Sequence, residues 1–122
     1  GIGNYTAATL PQSRLEVKGS FATPIEEESN NFTLNINQHT IIITGSLTMT
    51  LPNANNCEGR IYIIKNPDTT APYGDAPDFV VGITLLAGNL YYDSYGNSIA
   101  TPTLDAGITK LQSDGTNWQQ IN

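Results

Sequence analysis

The chain has 122 residues, a net charge of −6 and 13% charged residues, about half the usual share in a globular chain. That length suits one domain with a modest core. The acidic balance speaks against nucleic acid binding, which needs a basic footprint, and no apolar run approaches a membrane span, so no membrane insertion is expected.

The chain opens on Gly1 rather than Met and is expected to be a piece of a longer protein. Residues 1–20 read as an extended lead-in. Gly, Thr, Pro and Ser there punctuate one short alternating strand, Leu15-Glu16-Val17-Lys18. Glu26-Glu27-Glu28 is the densest charge in the chain and is expected to be a solvated turn, not a metal site. Phe32-Thr33-Leu34-Asn35-Ile36 alternates with period two, which predicts a strand with Phe32, Leu34 and Ile36 on its dry face. Thr40–Thr44 is a β-branched run and predicts a buried strand, broken by Gly45-Ser46. Leu47–Leu51 alternates again until Pro52. After a polar connection over residues 53–59, Arg60–Lys65 predicts the next strand.

Residues 68–78 form a loop insertion in which Pro72, Gly74 and Pro77 block regular structure. Phe79–Leu86 resumes a strand, with Gly82 expected to mark a bulge or bend. Residues 88–103 form a second insertion carrying Tyr91, Tyr92, Tyr95, Gly96 and Pro102. The chain closes on a hairpin: Ile108 and Leu111 lead in, Asp114-Gly115 supplies the turn, and Trp118 and Ile121 lead out. No segment has helical periodicity, and no internal repeat of solenoid length stands out. Many short strands between regular turn signals predict an all-β fold, a small antiparallel β-sandwich of jelly-roll type. It is expected to form one domain over residues 21–122, with the insertions at 68–78 and 88–103.

Cys57 is the only cysteine, so no internal disulfide is possible, and it reads as a packed side chain. His39 is the only histidine, and with no partner in sequence it reads as structural. No cofactor or metal site is expected. The candidate ligand-binding residues lie in the two insertions. Tyr91, Tyr92, Asp93, Tyr95 and Asn97 combine flat aromatic faces with hydrogen-bonding groups, a pattern suited to sugars and protein surfaces. Tyr91 and Tyr92 either join that site or pack against the sandwich or a neighbouring subunit, while Gly96 marks Tyr95 as exposed. Tyr73 and Asp75 form a second, weaker candidate. Asp75 and Asp78 lack the ligand alternation of a calcium loop. Trp118 is either a core residue or a stacking platform, and its place beside a strand turn favours the core.

Three stretches resemble phage tail-fibre and bacterial tail-fibre-like surface proteins. The opening Gly1-Ile2-Gly3 and Pro11–Ser20 is similar to their lead-in. Leu47–Pro52 followed by Gly59–Asn66 is similar to their central segment, and Leu111-Gln112-Ser113-Asp114-Gly115-Thr116-Asn117-Trp118 to their close. The resemblance covers residues 1–66 and 108 to the end, and departs over residues 68–107. It implies a distal β-domain in an intertwined homotrimer, on a virion tail fibre or a bacterial cell surface. It further implies receptor recognition, with a cell-surface glycan as partner. A structural spacer or trimerisation module with no ligand is the alternative. A polysaccharide-degrading enzyme is a remote one, because no motif pairs two of Asp75, Asp78, Asp93 and Asp105 across a cleft. No catalytic residue is assigned.

Overall fold

The structure, a computed structural model, describes residue 15 and residues 17–122. Its elements are nine strands and a single turn of 3-10 helix. The strands are β1 (Ile25–Glu28), β2 (Phe32–Thr33), β3 (Thr40–Ile43), β4 (Leu47–Thr50), β5 (Ile61–Asn66), β6 (Val81–Thr84), β7 (Tyr91–Tyr92), β8 (Gly107–Ser113) and β9 (Trp118–Gln120). The helical turn is Ala54–Asn56. Two sheets result, with strand orders β1-β3-β5-β8-β9-β7 and β2-β4-β6.

The first six strands alternate between the sheets, and every pair among them is parallel. A parallel pair needs a crossover of about a dozen residues. Here the crossover is a strand of the other sheet, so the chain winds as a short two-sheeted coil. The registers Ile25↔Thr40 and Phe32↔Met49 put successive turns about one strand-pair apart in sequence. The turns also stack. A Cβ on Gly45 would lie 2.8 Å from the Ser29 carbonyl oxygen, and the Asn31 side chain accepts from the Thr48 N–H at 2.8 Å. The coil closes differently: β8 pairs antiparallel with β5, the β8–β9 hairpin follows, and β7 joins β9 in parallel.

The expected all-β class therefore holds, but the expected antiparallel, jelly-roll pairing does not. Alternation along a strand reveals which face is dry and is silent on which strand lies alongside. Other expectations also change. Glu26-Glu27-Glu28 belongs to β1, not to a solvated turn. Glu26 and Glu28 are half-buried there, and the Gln38 amide donates to both, at 3.3 and 3.4 Å. The strand expected over residues 32–36 ends at Thr33, and Ile36 is 72% exposed in the turn that follows. Gly82 sits in register within β6 with no bulge. Of the lead-in strand, the described residues Leu15, Val17 and Lys18 carry no strand, and the remainder of residues 1–16 lies outside the described residues.

One core receives side chains from both sheets. Ile41, Ile43, Tyr62, Ile64, Leu111 and Trp118 come from the larger sheet, and Leu47, Met49, Val81 and Ile83 from the smaller. Trp118 is fully buried. Its indole N–H donates to the Pro52 carbonyl at 3.0 Å, and its ring lies 5.7 Å from that of Tyr62. The Asp114–Asn117 turn matches expectation, with Gly115 at φ +91° and the Asp114 carboxylate accepting from the Thr116 and Asn117 amides.

Candidate functional site

The second insertion leaves the scaffold from a fixed point. Asn89 is buried. Its side-chain oxygen accepts from the Ala54 N–H at 2.9 Å, and its amide donates to Asn53 at 3.3 Å. β7 then places Tyr91 opposite Trp118 and Tyr92 opposite Gln119. Tyr91 is 3% exposed and its hydroxyl donates to Gln120 at 3.1 Å. Burial, aided by the charges of Asp105 and Asp93, pushes that phenol up to about 12. Of the two open readings of Tyr91, packing is the one realised, and its ring is withdrawn from any external ligand. Tyr92 is half-buried at the strand edge.

Beyond Tyr92 the chain makes a tight turn around Asp93. The carboxylate accepts from the Tyr95 N–H at 3.0 Å and the Asn97 N–H at 2.8 Å. The backbone closes the same turn through Asp93 N–H to Asn97 O and Gly96 N–H to Asp93 O. These amides, Asn97's first, hold the carboxyl below the ordinary carboxylate range. Gly96 takes φ +87°, which suits glycine. The outcome is a braced turn with Tyr95 at its tip, 89% exposed, and Asn97 exposed beside it.

The first insertion is braced by its own carboxylates. Asp68 accepts from the Gly74 and Thr70 amides, at 2.6 and 3.3 Å. Asp78 accepts from the Thr69 N–H at 3.0 Å and hydroxyl at 2.7 Å, which keeps its carboxyl below the ordinary range. The Ala71–Pro72 bond is cis. Tyr73 and Asp75 are both exposed. Asp75 and Asp105 line one shallow concavity of about 390 Å³. Among the described residues, no group of three or more His, Cys, Asp or Glu side chains could hold a metal ion.

Sequence reasoning missed two surfaces. The first is the outer face of the six-stranded sheet. Alternation and register place Ile25, Ile42, Ile61, Ile63, Ile108 and Ile121 there, interspersed with Glu27, Lys65 and Lys110. Ile25, Ile108 and Ile121 are exposed, and the other three isoleucines are half-buried. The second is a groove on the outer face of the smaller sheet, about 740 Å³, running between the 85–90 turn and residues 98–103. The signal for the first was the pair of isoleucines flanking Tyr62, one on each side. For the second it was Gly82 amid a strand.

Compared with known proteins, the chain matches no family model, no curated protein and no solved structure.

Proposed function

We propose that this chain is a non-catalytic attachment module, one subunit of a homotrimeric fibre domain that recognises a cell-surface glycan from outside the cell. The observation that carries the reading is the isoleucine-rich outer face of the six-stranded sheet. A lone chain leaves Ile25, Ile108 and Ile121 of that face in water, whereas several large apolar side chains gathered on one sheet face favour association. Three copies around one axis would cover it. Tyr95, held on the Asp93 turn, supplies a rigid aromatic with little ordering cost on binding, and Asn97, Tyr92, Tyr73 and Asp75 supply neighbouring contacts.

A charge set into that face tests the reading. Ile63 stands opposite Lys110 in the β5–β8 ladder. Ile63→Glu gives that lysine a favourable cross-strand partner within the chain, while forcing any interface between chains to desolvate a second charged side chain in place of an apolar one. The variant is expected to fold and to run as a single chain where the parent runs as three. An unchanged assembly would overturn the role of this face. The second reading, a spacer or trimerisation module without a ligand, is favoured by the same isoleucine face. It separates from the first by predicting that loss of Tyr95 changes no binding.

A further inference from the structure

The smaller sheet turns an unusual surface outward. Thr33, Thr50 and Thr84 stand in one row across β2, β4 and β6. Thr48, Gly82 and Thr103 stand in the next. Neighbours within a row are about 4.8 Å apart and the rows about 6.7 Å. Gly82 is the single gap in this array, and nothing in its surroundings demands glycine. Its φ is not positive, and an added Cβ would meet only the Thr48 hydroxyl, at 4.0 Å. With neither turn nor bulge to explain it, a glycine inside a strand is often a place where a ligand or another backbone approaches the sheet closely.

The missing side chain forms the floor of the 740 Å³ groove, a volume within the range of about 300–1,000 Å³ typical of ligand sites. Hydroxyls surround the floor: Thr48, Thr84, Ser98, Thr101 and Thr103. Leu86 and Leu90, both exposed, add apolar wall. No lining residue is ionisable, in a chain of net charge −6. The walls are fixed: the 85–90 turn through the Asn89 amide, residues 98–103 through Ile99 N–H to Tyr91 O and the Gly82↔Thr103 bridge. An added peptide strand is disfavoured on the floor, because Ile83 N–H and Leu104 N–H already bond across that edge, to Pro102 O and Val81 O.

We propose that this groove binds a neutral oligosaccharide. Uncharged hydroxyls suit a polyol, the lining offers no cation to hold a uronate on this acidic chain, the leucines suit the C–H faces of a sugar, and Gly82 lets a sugar ring sit down on the sheet. The Asp93 turn runs directly into the groove wall at Ser98, so Tyr95 and the groove belong to one continuous segment. The assignment rests on the attachment reading above and names its ligand class.

The test is binding of the full chain to immobilised neutral oligosaccharides and to uronate-bearing counterparts of the same length. The parent chain is expected to retain neutral members. Gly82→Leu, which fills the floor, is expected to lower that affinity at least tenfold. Should Gly82→Leu fail to fold, the near-isosteric pair Thr84→Val with Thr103→Val keeps β-branched residues on the sheet and is expected to lower affinity several-fold. Neutral binding unchanged in the folded variants, preference for the uronate series, or no retention of any neutral member would overturn the groove. Attachment to whole cells separates this from the wider reading. Dependence on Tyr95 with indifference to Gly82 would overturn the groove alone, and absence of all attachment would overturn both.

Discussion

Tyr95 and Asp93 show how a surface side chain becomes a presented one. Four backbone amides and two carbonyls are used up within the turn, so the aromatic ring is carried on a pre-ordered loop. Tyr95→Ala is expected to weaken attachment to target cells while leaving mass and melting temperature unchanged. The same assay with full binding would remove the turn from the contact surface. Asp93 adds a pH dependence. Its folded carboxyl lies below its unfolded value of about 3.9, so its bracing is complete above that pH and is lost as pH falls through the lower folded value. Protection of the Tyr95 and Asn97 amides, relative to their intrinsic exchange at the same pH, is expected to fall as pH drops below about 4. In the core, Trp118→Ala removes a fully buried ring and its bond to Pro52. The expected loss is about 3–5 kcal/mol, read by urea unfolding. Burial of Trp118 and exposure of Tyr95 were both legible in sequence, from a strand-flanking tryptophan and a following glycine. The place of Tyr91 was not, because a tyrosine in a polar insertion reads the same whether or not a strand pairs behind it.

At the level of elements, the strands with β-branched or alternating patterns, Thr40–Ile43, Leu47–Thr50 and Ile61–Asn66, were legible, as was the closing hairpin. β1 was not. Three successive glutamates have poor strand propensity, and they form a strand because β3 supplies the ladder and Gln38 supplies hydrogen bonds. Their charge also blunts an edge that would otherwise invite pairing with other chains. The coil itself was hidden because its successive turns differ in length and sequence. Its clearest physical signature is Gly45, packed on the backbone of the turn before it. Gly45→Ala is expected to push the two turns apart and cost about 1–3 kcal/mol. Thermal unfolding checks this, and an unchanged melting temperature would mean the turns do not bear on one another.

Across the whole molecule, two outer faces differ in kind. The six-stranded sheet presents isoleucines and the three-stranded sheet presents threonines. Neither contrast follows from overall composition, since both depend on which residues register side by side across strands distant in sequence. The first face argues for association, the second for an uncharged ligand, and the braced loops stand at the ends of strands that fix them. The account stands or falls on whether the isoleucine face is covered in solution. Light scattering coupled to size exclusion measures this directly. The account predicts a mass of three chains, stable on dilution. A clean single chain would leave Ile25, Ile108 and Ile121 in water and contradict it.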